Sequence, residues 1–369
     1  MANKIRWGIL GAGRIIDRWI KGALQLDDME IAAIASRTRE SAEKMAEKWK
    51  IPQVMSYDEM INCPDIDVVY IPVPHTAHKE LAMRAMNAGK HVLVEKPAAI
   101  NASEFQEMME CAKKNHVFMM EAVWTRFFPL MEKILKMIED GKIGEVRTVE
   151  ATFSFRVDGD DKTRITDPHR AGGGLLDVGV YNLHLAQMIY QKAPVRITGF
   201  ASIDTDEYHL QVDEQAAYIG QYDKGELSML MSGIRTKTEH TAHIYGTKGY
   251  IVMPVFWKPT KIELHIGEDV EIIEEKVPQK FKYAEKGDVT ENIPSELGKV
   301  KDGENLSKFV GIEDEGYQYH IAHVNECVRN GLTESPKMPW ASTLSVLKQM
   351  DGLRKEWNLI YPSENQEKM

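Results

Sequence analysis

Residue types that could carry acid–base chemistry lie in two separate stretches of the chain. Lys96 follows an apolar run at 91–94, within the sequence Glu-Lys-Pro. Asp177 and Tyr181 follow a run of three glycines at 172–174, called the glycine run below. A tyrosine is a poor base because its ordinary pKa is about 10, and a nearby ammonium favours the phenolate. If folding brings Lys96 to Tyr181, the pair could move a proton to or from a substrate oxygen.

The spacing in the second stretch predicts one face of an amphipathic helix. Asp177 and Tyr181 stand four residues apart, and His184 follows three residues later, so the three share nearly one helical face. Asp177 could orient a substrate hydroxyl or the lysine. The alternative is structural: an acid at a helix N-terminus, a buried tyrosine, and Lys96 in a surface ion pair.

Strands and helices alternate over the first 122 residues, which predicts a doubly wound parallel sheet. The loops after parallel strands open at one edge of such a sheet, where ligands bind. Lys96 would therefore share an edge with the sequence Gly11-Ala12-Gly13. The predicted strands are 5–10, 30–35, 68–71, 91–94 and 117–120.

The sequence Gly11-Ala12-Gly13, called the glycine turn below, joins the first strand to a helical run that begins at Arg14 and Ile15. Strand, glycine turn and helix in this order predict a dinucleotide site. Gly11 permits the tight turn, and Gly13 lets the backbone approach a pyrophosphate at the helix N-terminus. The third fingerprint position is Ile16 rather than glycine or alanine. A purely structural glycine turn is the alternative.

The second strand ends in Ser36 and Arg37, where an acidic residue would hold the ribose 2′-hydroxyl of NAD. A hydroxyl and a guanidinium suit a 2′-phosphate instead, so the sequence predicts NADP(H) in preference to NAD(H). A surface arginine is the alternative. Arg39 could assist, although Glu40 stands beside it.

Further residues are predicted to line the same crevice: Pro72, His75, His78 and Glu95. As metal ligands the two histidines would need further partners, and none is spaced nearby. We therefore predict no metal site.

A second domain is predicted over 123–369, after a first domain of 1–122. Its aromatic linker, 121–129, contains Trp124 and Arg126 and forms either a wall for a substrate or the core of a hinge. Period-two alternation then predicts a large, mainly antiparallel open sheet, so that the fold class is α/β with an α+β second domain. The predicted strands are 146–153, 216–222, 227–234, 241–245, 250–253 and 261–265. A polar surface excursion is predicted over 276–307, with helices at 314–329 and 341–357, the last of which could pack back on the first domain.

Composition and charge restrict the possible binding partners and the cellular compartment. The chain has 369 residues, 43% hydrophobic and 28% charged, with a net charge of -10, which argues against nucleic acid. No apolar run approaches the roughly 20 residues of a membrane span. Three scattered cysteines, and an N-terminus that enters a strand pattern at once, lead us to expect a cytoplasmic protein.

The glycine turn, the Glu95-Lys96-Pro97 sequence and the helix of Asp177 and Tyr181 resemble the glucose–fructose oxidoreductase/inositol dehydrogenase (Gfo/Idh/MocA) family. The linker and residues 172–181 resemble its branch of dihydrodiol and NADP-dependent D-xylose dehydrogenases. The resemblance covers nearly the whole chain. It implies a Rossmann domain, a second domain whose open sheet often forms an oligomer interface, and hydride transfer between NAD(P) and a sugar or diol carbinol.

The resemblance also implies roles for individual residues. Lys96 and Tyr181 take the acid–base positions, with Asp177 beside them, and Arg37 takes the 2′-phosphate position. Trp124 and Phe153 take positions near the substrate. Many relatives carry histidine at the position of Tyr181 and asparagine at that of His75.

These features together predict an NADP-dependent dehydrogenase acting on a pyranose-type sugar or a cyclic vicinal diol, with a small-molecule substrate and a homo-oligomeric assembly. The aromatic residues fit a sugar's apolar face and a dihydrodiol ring equally well. A keto-sugar reductase of the anhydrofructose type and a non-catalytic NADP sensor are the alternatives. The predicted substrate residues are Trp124, Arg126, Phe153, Asp177, Tyr181 and His184.

Overall fold

The computed structural model describes residues 4–13, 15–157, 163–204, 209–277 and 316–365. Within these ranges the chain forms two sheets with helices packed against them. Arg14 and nearly all of the predicted surface excursion at 276–307 lie outside the described residues.

The first sheet contains six parallel strands in the order β3-β2-β1-β4-β5-β6. This is the strand order of a dinucleotide-binding Rossmann fold. The apolar residues of its central strands are buried, as expected when helices cover both faces of a parallel sheet. The predicted fold of this part is confirmed. The strands are β1 (Ile5–Leu10), β2 (Met29–Ala35), β3 (Gln53–Met55), β4 (Val68–Ile71), β5 (His91–Val94) and β6 (Met119–Glu121).

The helices that cover this sheet begin at recognisable signals. Asn101 accepts a hydrogen bond from the Glu104 amide at 2.9 Å, and Ser56 and Glu59 form a capping box. Such caps satisfy amides that have no partner within the helix. The helices are α1 (Ile16–Ala23), α2 (Arg39–Trp49), α3 (Tyr57–Asn62), α4 (His78–Asn87) and α5 (Ala102–Asn115).

The second sheet contains eight strands in the order β14-β13-β12-β11-β7-β10-β9-β8. All neighbours are antiparallel except β7 and β10. The predicted mainly antiparallel sheet is confirmed, but its two edge strands, β8 and β14, were not predicted. The strands are β7 (Val146–Ser154), β8 (Arg196–Ile203), β9 (Asp213–Gln221), β10 (Leu227–Gly233), β11 (Ala242–Gly246), β12 (Gly249–Met253), β13 (Lys261–Ile266) and β14 (Asp269–Glu274).

One face of this sheet is solvent-exposed in the single chain. Along β10 the side chains of Leu227 and Met229 are 38% and 40% exposed, whereas Ser228 and Leu230 are buried. Alternate residues of a strand point to opposite faces, and α7 (Val180–Tyr190) packs on the buried face.

The last helices pack against the first sheet and its helices. Trp340 donates its indole N–H to the Met119 carbonyl at 2.8 Å, and Trp7 donates its own to Asn325 Oδ1 at 2.9 Å. The C-terminal part of the chain therefore helps to fix the first sheet. The remaining helices are α6 (Pro129–Glu139), α8 (Tyr317–Arg329), α9 (Trp340–Glu356) and α10 (Pro362–Asn365).

Candidate active site

Lys96, just past the end of β5, lies against the helical segment of Asp177 and Tyr181. Its Nζ donates a hydrogen bond to the backbone carbonyl of Asp177 and lies 3.6 Å from Asp177 Oδ1. The same Nζ lies 4.9 Å from the centroid of the Tyr181 ring. The two stretches that the sequence singled out therefore meet at the carboxyl edge of the parallel sheet.

The segment that carries Asp177 is a π-helical turn, Leu175–Gly179, which continues into α7. Single π turns within helices occur frequently at functional sites. Tyr181 lies in the first turn of α7, so the regular helical face that the sequence predicted is replaced by a wider turn. Asp177 and Tyr181 both reach Lys96 nevertheless.

His184 does not join this group. Its side chain is 1% exposed, and Nε2 lies 3.2 Å from Oε2 of the equally buried Glu121. Glu121 in turn accepts hydrogen bonds from the Ala98 amide at 3.0 Å and the Thr343 hydroxyl at 2.8 Å. His184 therefore belongs to an interior polar cluster, and burial lowers its pKa.

The carboxylate of Asp177 ends a polar chain that begins at His75. Arg164 donates to Asp177 Oδ1 at 2.6 Å, and its Nη1 lies 2.9 Å from His75 Nε2. His75 Nδ1 lies 3.1 Å from the Ala171 carbonyl, which makes Nδ1 the donor and Nε2 the acceptor in a neutral imidazole. Burial and the charge of Arg164 lower the pKa of His75 accordingly.

Asp177 is ionised in this arrangement. Burial would raise its pKa, but the charges of Lys96 and Arg164 outweigh burial and hold the pKa well below its usual range. The carboxylate thus lies between two cations at the edge of the sheet.

Tyr181 has a raised pKa, contrary to the prediction that Lys96 would lower it. Burial is the main cause, and the negative charge of Glu95 adds to it. Lys96 lies over the ring face and donates to a backbone carbonyl, so its ammonium does not bond the phenolic oxygen. That oxygen accepts a hydrogen bond from the Trp124 indole at 3.0 Å. Tyr181 is therefore a neutral phenol.

Aromatic rings surround the phenol of Tyr181. Trp124 stacks on Tyr317 with ring centroids 4.5 Å apart, and Phe153 stacks on Trp257 at 5.5 Å. Phe153 also lies 5.6 Å from the Tyr181 ring. The structure thus brings the predicted Trp124 and Phe153 together with two rings that the sequence analysis did not select.

Arg126, in the linker 121–129, contacts a different part of the chain from Tyr181. Its Nη1 donates to the Lys337 carbonyl at 3.2 Å, and burial lowers its pKa to about 10. No contact of Arg126 with Lys96, Asp177 or Tyr181 is found among the described residues, so the structure does not place it beside them.

The glycine turn lies beside the loop that follows β4. Gly11 has a φ of +147°, and a Cβ there would come within 3.1 Å of the Pro72 carbonyl oxygen. At Gly13 the nearest neighbour of a Cβ would be the same oxygen at 3.7 Å. Ile15 precedes α1, whose first amides have no side-chain cap among the described residues. The free amides at the start of α1, which follow a turn with little side-chain bulk, fit a pyrophosphate.

The end of β2 lies next to this turn, since the Gly11 amide donates to the Ala35 carbonyl at 2.7 Å. Ser36 and Arg37 follow directly, and Arg37 is exposed. Arg39 is engaged with Glu43 at 2.8 Å. Arg37 is thus the better placed of the two for a group bound at the glycine turn.

His78 is buried beside the crevice, and Glu95 is half-buried there. Glu95 accepts from the Tyr70 hydroxyl at 2.7 Å, and burial raises its pKa. Both ring nitrogens of His78 lie 2.9 Å from backbone carbonyls, those of Pro97 and Val73. Burial lowers the pKa of His78 to about 4. His78 therefore lies between the loop after β4 and the turn that contains Lys96, and as a neutral imidazole it donates to one of the two carbonyls.

The described residues hold no group of three or more His, Cys, Asp or Glu side chains arranged to bind a metal. None of their helices is both long and apolar enough to cross a membrane.

Two family models match the chain. Residues 5–123 match the oxidoreductase family with an NAD-binding Rossmann fold (Gfo/Idh/MocA), and residues 131–252 match a Gfo/Idh/MocA C-terminal domain. The chain belongs to the Gfo/Idh/MocA oxidoreductase family. It is therefore an oxidoreductase with a nicotinamide-binding fold.

Two diol dehydrogenases resemble this Gfo/Idh/MocA member over nearly its whole length. A trans-1,2-dihydrobenzene-1,2-diol dehydrogenase of Mus musculus is 32% identical over 98% of this chain and 99% of its own. One of Xenopus tropicalis is 32% identical over 98% of this chain and 100% of its own.

Solved structures share the fold. An aldose–aldose oxidoreductase of Caulobacter crescentus, complexed with glycerol, superposes with a TM-score of 0.79 at 22% identity, covering 96% of this chain and 98% of its own. A 3-ketoreductase of Actinomadura kijaniata, in complex with NADP and TDP-benzene, gives a TM-score of 0.78 at 22% identity, with the same coverage.

Sequence reasoning missed Arg164, Trp257 and Tyr317. Arg164 lies in a short 3₁₀ turn, Arg164–Thr166, where no periodicity marks a residue. Trp257 follows β12, and its carbonyl accepts from the Thr125 hydroxyl at 2.6 Å. Tyr317 is the first residue of α8. The aromatic residues of the linker were the one available signal for Trp257 and Tyr317, because rings that stack on the linker must come from other segments of the chain.

Proposed function

We propose that this oxidoreductase transfers a hydride reversibly between NADP(H) and a carbinol of a pyranose-type sugar or a cyclic vicinal diol. The observation that carries the proposal is the meeting of Lys96, Asp177 and Tyr181 at the sheet edge that also holds the glycine turn. Ligands of such sheets bind at this edge. The nicotinamide, when bound, supplies the hydride acceptor or donor.

Tyr181 is the proposed proton-transfer group. Its oxygen accepts from Trp124, so the phenol's own hydrogen remains available to a substrate oxygen. Lys96 is proposed to orient that oxygen by donating a charge-assisted hydrogen bond, and Asp177 to accept from a substrate hydroxyl or to hold Lys96. A positioned acid or base contributes about 100- to 10,000-fold to such a step.

The proposed substrate class rests on the aromatic rings. Flat faces of Trp124 and Phe153 suit the C–H face of a sugar ring or a cyclic diol. The names of the relatives, which are diol dehydrogenases, support the diol. Arg126 and His184, which the sequence also selected, are not included in the proposed substrate site because they face other partners.

NADP(H) is the proposed cofactor in preference to NAD(H). Pyrophosphate would bind at Gly11, Gly13 and the start of α1, and the 2′-phosphate would bind Ser36 and Arg37. The exposure of Arg37 next to the glycine turn supports this.

A keto-sugar reductase is the second candidate, and the state of Tyr181 favours it. A neutral phenol is the form that donates a proton to a carbonyl oxygen as hydride arrives. The residues and their positions are the same in both directions.

A homo-oligomer and a cytoplasmic location complete the proposal. Large apolar side chains are exposed on the open face of the second sheet, among them Phe200 at 88% and Ile219 at 48%. Apolar patches of this kind mark association surfaces. All three cysteines are unpaired, as in a reducing compartment.

Initial rates with NADP⁺ and NADPH over a panel of aldoses, cyclic diols and keto-sugars test the proposal. We expect turnover with at least one class, and a loss of about 100-fold in Lys96→Met with NADPH binding retained. The ratio of forward and reverse rates separates dehydrogenase from reductase. Tight NADPH binding without turnover on any substrate would instead identify a sensor.

A further inference from the structure

Asp213 lies against the glycine run, at the start of the helical segment that carries Asp177. It is the first residue of β9 and is fully buried. Its Oδ2 accepts a hydrogen bond from the Leu175 amide at 2.5 Å. Leu175 begins the π-helical turn that carries Asp177 and leads into Tyr181.

The glycine run is shaped to admit this carboxyl group. Gly173 has a φ of +108°, and a Cβ there would stand 2.1 Å from Asp213 Oδ1. A Cβ at Gly174 would stand 2.8 Å from the Gly233 Cα. On the other side Tyr361 donates its hydroxyl to the Gly172 carbonyl at 2.7 Å. Gly173 and Gly174 therefore leave no room for a side chain, because the Asp213 carboxyl group and β10 pack against the start of the helical segment there.

We propose that Asp213 is a positioning residue whose carboxylate holds the start of the helical segment, and thereby the acid–base geometry of Asp177 and Tyr181. This inference rests on the proposed function of that site. Asp213 itself is buried behind the segment and acts through the backbone of Leu175. A negative charge at a helix N-terminus interacts favourably with the free amides and the helix dipole.

The pKa of Asp213 lies close to neutral pH. Burial raises its pKa to about 7, against the opposing effects of the Leu175 amide and of Arg354 in α9. The other titratable groups facing it are tyrosines. Burial raises the pKa of Tyr218 to about 12 and that of Tyr361 well above its usual value. Arg354 is paired with Glu364 at 2.7 Å. Among these groups, Asp213 is the one that changes charge near neutral pH.

Ionisation of Asp213 should raise kcat and lower the stability of the folded protein. The carboxylate is a stronger acceptor for the Leu175 amide than the protonated acid. Because the folded pKa is raised above the ordinary 3.8, the folded protein loses stability as pH rises from that value to about 7, and the loss remains above it.

Asp213→Asn, which keeps the shape and removes the charge, tests the inference. We expect the pH profile of kcat in the wild type to rise through an ionisation at about pH 7. This ionisation should be absent in Asp213→Asn, with kcat at about pH 8 lowered roughly tenfold and KM for the cofactor unchanged. The melting temperature of the variant relative to wild type should increase from about pH 5 to about pH 8, because the amide does not ionise. The loss of the ionisation from the kcat profile is the result that a purely structural cap would not produce.

Glu214→Gln is the matched control. Glu214 is equally buried and adjacent in β9, but it pairs with Arg235 at 3.0 Å, and adjacent strand residues point to opposite faces. This variant should keep the ionisation in its kcat profile.

Amide hydrogen exchange tests the role of Asp213 independently of turnover. Amides of the segment 172–183 should exchange faster in Asp213→Asn than in wild type at the same pH. If wild type turns over no sugar or diol, the proposed function fails, and the exchange measurement still decides the role of Asp213. Unchanged exchange, or a wild-type pH profile in an active Asp213→Asn variant, would overturn the inference.

Discussion

At the scale of single residues, the site is a chain of charges and hydrogen bonds that crosses from one sheet to the other. His75 and Lys96 come from loops of the first sheet, whereas Arg164 and Asp177 come from the second part of the chain. Each buried charge has an opposite charge or a hydrogen-bond partner, as burial in a low-dielectric interior requires. The ionised Asp177 and the neutral Tyr181 follow from that arrangement.

Arg37→Ala tests the cofactor assignment at this scale. Hydrogen bonds to a charged phosphate contribute about 1.5 to 3 kcal/mol, so NADPH affinity should fall roughly tenfold to hundredfold while NADH affinity changes little. Fluorescence titration of each dinucleotide measures both. Arg39→Ala, which removes a guanidinium already paired with Glu43, should leave both affinities near wild type. An equal loss for the two dinucleotides in Arg37→Ala would remove the phosphate role.

The sequence selected Lys96, Asp177, Tyr181 and Trp124 because motif and spacing are visible in a linear chain. It could not select Arg164, since a loop residue has no period and its partners come from distant segments. It gave the wrong direction for the pKa of Tyr181, because burial and the position of Lys96 over the ring face depend on tertiary packing.

At the scale of elements, α1 and α8 are packed unusually closely. A Cβ on Gly22 would stand 2.5 Å from the Tyr317 Cβ and 2.8 Å from the Gln318 amide nitrogen. Tyr317 also stacks on Trp124. The helix that begins the dinucleotide-binding half is thus coupled to an aromatic ring of the candidate substrate site.

Gly22→Ala should therefore separate these helices. We expect a loss of about 1 to 3 kcal/mol in the free energy of unfolding from overpacking, and a raised KM for substrate as Tyr317 shifts. Denaturant melts and steady-state kinetics measure the two effects. Gly352→Ala in α9 is the control, because no atom would lie within 4 Å of its Cβ; it should stabilise by up to about 1 kcal/mol. Equal stability of the two variants would contradict this packing.

The elements that the sequence predicted well have strong periods and clear ends. The helix of 102–115 and the strand of 68–71 coincide with α5 and β4. Strand β14 is an exposed edge strand of six residues, and its alternation covers only 269–272, which is too short to mark a strand by itself. The π turn at 175–179 depends on packing of the glycine run against Asp213 and Gly233, which no local pattern reveals.

At the scale of the whole molecule, the division at residue 122 stays a prediction. The fold class followed from the alternation of elements, yet α8 and α9 pack on the first sheet and its helices. The sequence allowed for the last helix to pack back on the first domain, but it indicated no neighbour for α8, because the contacts that hold that helix are long-range.

Phe200→Glu tests the proposed assembly through the open sheet face. Phe200 is 88% exposed on β8, and a charge there should oppose burial between subunits. We expect light scattering to report a smaller particle than wild type at equal concentration. Ile360→Glu, a charge at a residue that is 63% exposed outside either sheet, should leave the particle unchanged. An unaltered size in Phe200→Glu would argue against this interface.

Tyr181→Phe tests whether Tyr181 transfers the proton when the hydride moves. The substitution removes the hydroxyl and retains the ring that packs against Phe153. Single-turnover mixing of NADPH-loaded protein with a carbonyl substrate, and a separate NADPH titration, measure chemistry and binding independently. We expect the rate to be lowered at least 100-fold, about the lower end for loss of a general acid, with NADPH affinity unchanged. A rate within about threefold of wild type would contradict it.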